Sequence, residues 1–196
     1  MNNLNALSVF CGSSIGNVES FRTDGYNVGQ YFGTHNIQLV YGGAKVGLMG
    51  VIADAALKHG GQVIGVIPDF IKTKEVAHEG LTQLIEVKTM HERKMKMFEI
   101  SDGAIVLPGG FGTMDEMFEL LTWGQLGLHK KPIGILNTMG FYDYLIKFLD
   151  QMVLTGLLRM SNRDMLIVSH DIDDLIDRMK NYEAPLKAKW MEPNQV

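Results

Sequence analysis

The sequence predicts an α/β fold, a doubly wound and mostly parallel sheet of about seven strands with helices on both faces. Short, continuously apolar runs alternate along the chain with longer amphipathic stretches. Strands that are apolar throughout are typical of parallel sheets buried on both faces, and strand–helix alternation is typical of Rossmann-like layering. Glycine-rich turns also follow several of the apolar runs. In such folds, ligands bind beyond the carboxyl ends of the strands.

The apolar and amphipathic periods give the order of the elements. Strands are predicted at residues 7–10, 37–41, 63–67, 84–87, 104–107, 133–136 and 165–168. Helices are predicted at residues 19–35, 48–59, 90–100, 113–126, 141–154 and 172–180. Residues 69–81 are polar and irregular, so this segment is either a loop that covers a site or a solvated connection.

Length and composition predict one domain. The 196 residues are 46% hydrophobic and 20% charged, which suits an ordinary globular core. We expect residues 1–182 to form a single nucleotide-binding α/β domain. Residues 183–196 contain two prolines and no clear period, and are predicted to be a C-terminal tail. The tail is either loose or attached through Trp190 to a surface or a partner subunit.

The charge and the cysteine count restrict the function classes. A formal charge of −4 argues against a general nucleic-acid binder but allows a single nucleotide as ligand. Cys11 is the one cysteine, so the chain has no intrachain disulfide. No basic start of a signal peptide and no apolar run near the ~20 residues of a membrane span are present. The six histidines show no metal-binding spacing. We therefore expect a soluble, cytoplasmic protein without membrane or metal.

Three glycine-rich turns, at residues 11–16, 42–50 and 108–113, each lie between a predicted strand and helix. Glycine allows backbone N–H groups to approach an anion, and the following helix adds free N–H groups and the positive end of its dipole. One such turn could equally be a tight turn without ligand, but three at one sheet edge favour a nucleotide or sugar phosphate. A P-loop motif is absent, and the second strand ends without the acid that holds an NAD ribose.

Polar residues near the third turn could supply chemistry. Arg93 and Lys94 follow the start of a helix, where cations oppose the dipole, so they are either solvated or used for binding. Glu116 lies three residues after Thr113, and local sequence slightly favours a capping box between them. The alternative is a carboxylate that faces the ligand, as in reactions that pass through a ribosyl cation.

The segment Pro108–Glu116 resembles the Pro-Gly-Gly-x-Gly-Thr-x-x-Glu signature of the LONELY GUY family, phosphoribohydrolases long labelled possible lysine decarboxylases. Met90–Lys94 matches the Met-His-x-Arg-Lys motif upstream of it. The resemblance covers nearly the whole chain. Further matches, in order, are residues 9–14, 41–43, 47–50, 65–68, 121–123, 131–132 and 136–137. One departure is Met139, where the family more often has an acid before the glycine.

The resemblance implies an activity and a site. The activity is hydrolysis of the N-glycosidic bond of adenine-type nucleoside 5′-monophosphates, AMP or N6-modified cytokinin nucleotides, by a homodimer without cofactor. Arg93 and Glu116 match the catalytic pair. The residues implied to contact substrate are Ser14, Gly43, Glu75, Met90, Lys94, Gly109, Gly110, Gly112, Thr113 and Thr122.

Two other functions compete with this one. A non-catalytic nucleotide or cofactor carrier on the same fold would keep the glycine turns, but the presence of both Arg93 and Glu116 favours the enzyme. A decarboxylase would need a lysine that forms a Schiff base with pyridoxal phosphate, and no lysine has a convincing setting. The sequence leaves open whether the base is adenine or an N6-modified adenine.

Overall fold

The computed structural model describes residues 1–71 and 76–185. Within them, seven strands form one sheet in which every pairing is parallel. The strands are β1 (Ala6–Phe10), β2 (Gln38–Tyr41), β3 (Val63–Pro68), β4 (Gln83–Val87), β5 (Gly103–Val106), β6 (Ile133–Leu136) and β7 (Leu166–Ser169). The predicted fold class is confirmed, and each strand agrees with its prediction to within one residue.

The helices also follow the prediction, to within two residues. They are α1 (Glu19–Thr34), α2 (Gly47–Lys58), α3 (Met90–Glu99), α4 (Phe111–Gln125), α5 (Asp143–Leu154), α6 (Met160–Arg163) and α7 (Ile172–Lys180). The four-residue helix α6 and the 3₁₀ turn Thr138–Gly140 were not predicted, because elements this short contain no hydrophobic period.

The strand order brings the three glycine turns together. Across the sheet the order is β4-β3-β2-β1-β5-β6-β7, so β1 lies between β2 and β5. The turns at residues 11–16, 42–50 and 108–113 follow these three adjacent strands at one edge of the sheet. The chain reverses its direction of winding between β1 and β5, and the crevice at such a switch point is where this class of fold binds ligands.

The pleat of the central strand divides the core into two layers. Leu7 and Val9 face the layer that contains α1, α2 and α7, whereas Ala6 and Phe10 face the layer of α3, α4 and α5. Because successive side chains of a strand point to opposite faces, a strand covered on both sides must be apolar throughout. This burial accounts for the apolar runs in the sequence.

Helices α1 and α2 pack closely through glycines. Gly25, Gly29 and Gly33 lie one turn apart on the buried side of α1. A Cβ on Gly29 would overlap the backbone carbonyl of Ile52 and the side chain of Ala55, whereas a Cβ on Gly25 would make ordinary contacts of 3.5 Å or more. The approach of the two helices is therefore closest at Gly29.

No helix within residues 1–71 and 76–185 is long and apolar enough to cross a membrane. Of the predicted C-terminal tail, only residues 183–185 are described, and Trp190 lies outside the described residues.

Gly29→Ala and Gly25→Ala form a matched pair that tests the helix contact. Gly29→Ala should lower the free energy of unfolding by about 1–3 kcal/mol, since the added methyl group cannot fit without moving α1 away from α2. Gly25→Ala should leave it unchanged or raise it by up to about 1 kcal/mol, because alanine favours the helix and meets no obstacle. Urea unfolding of both variants measures the difference. Equal effects of the two substitutions would contradict the assigned contact.

Candidate active site

A cavity of about 270 Å³ opens at the carboxyl edge of β1, β2 and β5. Residues from all three glycine turns line it, together with side chains from α2, α3 and α4. The lining residues are Val9, Phe10, Cys11, Gly12, Ser13, Gly42, Met49, Met90, Arg93, Met97, Gly110, Phe111, Gly112, Thr113, Asp115 and Glu116. The cavity therefore combines backbone-rich turns with a few charged side chains, which is the composition of a small-molecule site.

The 108–113 turn leads directly into helix α4. Gly110 is the N-cap residue, and no side chain caps the helix. The N–H groups of the first helical turn therefore remain available to an anion at the positive end of the helix dipole. A Cβ on Gly109 would overlap the side chain of Thr113, so only glycine allows this close approach. The amide of Gly12 donates to the carbonyl of Pro108 at 3.0 Å and joins the turn to the one after β1.

Arg93 is buried at the base of the cavity, with 6% of its surface exposed. Its Nε donates to the carbonyl of Val66 at 3.1 Å, and its Nη2 donates to the carbonyl of Gly42 at 2.9 Å. A Cβ on Gly42 would overlap the guanidinium, so glycine is required for this approach. The two carbonyls belong to β3 and to the turn after β2, and they fix the planar guanidinium in one orientation.

Glu116 lies in the second turn of α4 and lines the same cavity as Arg93. The capping box that local sequence favoured is wrong, because α4 already begins at Phe111 and Thr113 lies inside the helix. The N-cap is Gly110, three residues before Thr113, so Glu116 does not occupy the N3 position that a capping box needs. The carboxylate therefore belongs to the cavity.

The charges of Glu116 and Arg93 both affect the pKa of Cys11, which lines the cavity. Burial raises the pKa of its thiol, the charge of Glu116 raises it further, and the charge of Arg93 lowers it. Both charged groups thus act on one atom at the end of β1. With its pKa raised, the thiol is neutral at physiological pH and is a poor nucleophile.

The structure brings together six of the residues implied by the resemblance. These are Met90, Arg93, Gly110, Gly112, Thr113 and Glu116, which all line the cavity. Gly109 and Ser14 line an adjoining cavity of about 300 Å³, which shares Gly12, Ser13 and Gly110 with the first. Gly43 adopts a φ of +79°, and its carbonyl accepts the amide of His78 at 3.0 Å.

Two of the implied residues, Lys94 and Thr122, lie elsewhere in the described structure. Lys94 forms ion pairs of 3.1 Å with Asp115 and Glu119, so it joins α3 to α4. Thr122 donates to the carbonyl of Phe118 at 2.7 Å and lines a separate apolar cavity between α4, α5 and α6. Glu75 lies outside the described residues.

Other cavity residues were not identified from the sequence. Val9, Phe10, Met49 and Met97 are apolar residues of buried elements, and nothing in their pattern distinguishes a cavity wall from core. Gly12, Ser13 and Gly42 are different, because they belong to the glycine turns that the sequence did single out. Met139, the departure from the family pattern, is 77% exposed and is not among the residues that line the cavity.

No group of three or more His, Cys, Asp or Glu side chains within the described ranges could hold a metal ion. No described lysine lines the cavity. Lys94 is the lysine adjacent to Arg93; burial opposes its charge, but hydrogen bonds to Asp115 and Glu119 outweigh burial and raise its pKa. It is therefore protonated and unsuited to Schiff-base chemistry.

Comparison with solved structures supports the fold. The molybdenum cofactor binding protein of Rippkaea orientalis superposes with a TM-score of 0.67 at 20% identity, over 91% of this chain and 97% of that one. The Moco carrier protein of Chlamydomonas reinhardtii gives the same TM-score at 19% identity, over 91% and 97% of the two chains. At this level of identity the likeness concerns the fold alone.

Comparison of sequences identifies the family. Residues 49–179 match the family model described as possible lysine decarboxylase. The chain is 42% identical to a rice protein named probable cytokinin riboside 5′-monophosphate phosphoribohydrolase LOGL9, over 90% of this chain and 78% of the relative. It is 40% identical to the Arabidopsis thaliana cytokinin riboside 5′-monophosphate phosphoribohydrolase LOG5, over 97% and 86% of the two chains. The chain therefore belongs to the LONELY GUY family.

Proposed function

We propose that this protein hydrolyses the N-glycosidic bond of adenine-type nucleoside 5′-monophosphates, AMP or N6-modified cytokinin nucleotides, to free base and ribose 5-phosphate. One observation carries the proposal: a buried arginine and a carboxylate line one cavity beside an uncapped helix start. The names of the relatives in rice and Arabidopsis describe the same reaction class. No cofactor is required for this hydrolysis.

In the proposed mechanism, the 5′-phosphate binds the backbone N–H groups at the start of α4. The positive end of the helix dipole favours this dianion over an uncharged ligand. With the phosphate fixed there, the ribose extends into the cavity towards Arg93 and Glu116. Binding energy from the phosphate thus orients the reacting carbon, which is the general use of a remote charged group.

Glu116 stabilises the ribosyl cation that develops as the C1′–N bond breaks, and it orients the attacking water. The electron pair of the C1′–N bond leaves with the base, the water oxygen bonds to C1′, and the proton that the water releases ends on the departing base. The positive charge of Arg93 orients the carboxylate of Glu116. Hydrogen bonds to the carbonyls of Gly42 and Val66 fix the position of the guanidinium. A carboxylate beside an oxocarbenium-like centre is the arrangement that glycosidases use.

The carrier alternative has no separate support, because the likeness to cofactor carriers is below 25% identity and concerns the fold alone. Turnover decides between the two functions. A carrier would bind the nucleotide without releasing base.

We further propose a homodimer. Helix α5 and the segment after it expose five large apolar side chains, each more than half accessible: Tyr144, Phe148, Leu154, Leu157 and Met160. Exposed apolar side chains in such number on one part of a chain are typical of an interface.

Residues 1–182 are proposed as the nucleotide-binding domain and residues 183–196 as a tail. A cytoplasmic location is proposed because the chain has a single cysteine and an ordinary globular composition.

Replacement of Glu116 tests the reaction. Glu116→Gln keeps the size of the side chain but removes its charge, so kcat for AMP should fall about 100-fold or more while the fold stays intact. Glu119→Gln, one turn further along α4, is the matched control and should keep nearly full kcat. Chromatography of the released base measures both, and the rate ratio between AMP and isopentenyladenosine monophosphate identifies the preferred base. Full turnover by Glu116→Gln would refute the proposed role.

Replacement of Arg93 tests its rigid attachment. Arg93→Lys keeps the charge but lacks the fork that reaches two carbonyls, so one buried acceptor loses its donor. We expect unfolding free energy to fall by about 1–3 kcal/mol and kcat/KM to fall at least about tenfold. Arg163→Lys is the control for an arginine-to-lysine substitution as such, because Arg163 lies outside the cavity, where it forms an ion pair with Asp150. If both variants retained wild-type kcat/KM, the fork would have no part in the reaction.

Sedimentation analysis tests the dimer. The wild type should sediment at twice the chain mass of 21.8 kDa. Phe148→Glu places a charge in the proposed interface and should shift the protein towards monomer. Phe70→Glu is the matched control, because Phe70 is equally exposed, at 56% against 57%, but lies after β3. A Phe148→Glu variant that remains dimeric as tightly as Phe70→Glu would exclude this face.

A further inference from the structure

Tyr142 lies beneath the 108–113 turn, although it belongs to the connection between β6 and α5. Its side chain is buried, with 2% exposed. The phenol donates a hydrogen bond to the carbonyl of Leu107 at 2.7 Å, at the point where β5 passes into the turn. Burial raises the pKa of this phenol, and a hydrogen bond from the Gly109 backbone opposes the rise. The hydroxyl therefore fixes the carbonyl that precedes Pro108 and lies near the Gly109 backbone that follows it.

The backbone of Tyr142 is held in place as well. The backbone N–H of Tyr142 donates to Oδ1 of Asn137 at 2.8 Å, and Nδ2 of Asn137 donates to Asp143 at 2.7 Å. The carbonyl of Asn137 in turn accepts a hydrogen bond of 2.7 Å from Nδ1 of His170. Tyr142 is thus a rigid connection from the end of β6 to the turn after β5.

The turn needs such support because its own residues provide little. Gly109 and Gly110 carry no side chain that could hold the backbone by packing, and glycine peptides rotate more freely than others. The binding of a phosphate requires several N–H groups to point at one place at the same time. Any rotation of the Leu107–Gly109 backbone would spread these groups and weaken the interaction.

We propose that Tyr142 is a positioning residue for phosphate binding: its hydroxyl fixes the backbone of Leu107–Gly109, so that the N–H groups at the start of α4 converge on the 5′-phosphate. This inference rests on the proposed function. Tyr142 contacts the turn and not the cavity, so its removal weakens recognition of the phosphate specifically. Contacts to the base and ribose are unaffected.

The chain provides a matched control in Tyr41. This tyrosine is the last residue of β2, directly before a glycine turn, and like Tyr142 it is buried, with 1% exposed. Its hydroxyl is the one buried side-chain polar atom in the described part of the chain without a hydrogen-bond partner. The loss of that hydroxyl removes no bond, whereas the loss of the Tyr142 hydroxyl removes the link to Leu107.

The experiment measures dissociation constants for AMP and for adenosine by calorimetry on Tyr142→Phe, Tyr41→Phe and the unsubstituted chain, each carrying Glu116→Gln so that AMP is not consumed. Tyr142→Phe should weaken AMP binding about threefold to tenfold, the range for one buried hydrogen bond, and leave adenosine binding within about twofold. In kinetics, KM for AMP should rise while kcat stays within about twofold. Tyr41→Phe should change neither constant. Incorporation of 4-aminophenylalanine at position 142, which restores a donor, should recover AMP binding.

Three results would overturn the inference. The first is equal AMP affinity in Tyr142→Phe and Tyr41→Phe. The second is a loss of AMP affinity and of adenosine affinity by the same factor in Tyr142→Phe. The third is failure of 4-aminophenylalanine at position 142 to restore AMP affinity. Failure of the proposed function has a different signature, since wild type itself would then neither bind nor cleave AMP. Thermal melting of each variant shows that the compared proteins are folded.

Discussion

The site depends on one interaction, the attachment of the buried Arg93 guanidinium to the carbonyls of Val66 and Gly42. A cation removed from water is costly unless its donors find acceptors, and two backbone carbonyls at the sheet edge provide them. Because the carbonyls belong to β3 and to the turn after β2, the guanidinium has a fixed position relative to the sheet. The same attachment explains why glycine occupies position 42, where a Cβ would overlap the guanidinium.

The backbones of the turns after β1 and β5 also approach each other closely. The 108–113 turn approaches the turn after β1 through the hydrogen bond from Gly12 to Pro108. A Cβ on Gly109 would prevent the contact with Thr113. Between these turns the helix α4 begins without a side-chain cap, which is an unfavourable end for a helix unless a ligand satisfies it. Binding of the proposed 5′-phosphate would offset this cost in stability.

Much of this architecture could be predicted from the sequence, and the reasons are physical. The strands are buried on both faces, so they are apolar throughout, and the glycine turns mark the places where the backbone approaches closely. The capping box at Thr113 was a wrong prediction, since the sequence of a capping box does not show where the helix begins. Cavity walls such as Met49 and Met97 could not be distinguished from core, and the ion pairs of Lys94 with α4 depend on tertiary packing.

The resemblance supplied what local sequence could not. Arg93 and Glu116 are separated along the chain by strand β5 and the 108–113 turn, and only the parallel order of the strands brings them to one cavity. Tyr142 had no signal in the sequence, because its hydroxyl binds the carbonyl of Leu107, 35 residues earlier in the chain.

A crystal structure of the Glu116→Gln variant with AMP, in which slow turnover preserves the substrate, tests the proposed site most directly. Phosphate oxygens should lie within hydrogen-bond distance of the N–H groups at the start of α4. C1′ should face residue 116, and Arg93 should still donate to the carbonyls of Val66 and Gly42. A phosphate bound elsewhere, or a C1′ directed away from residue 116, would contradict the proposed site.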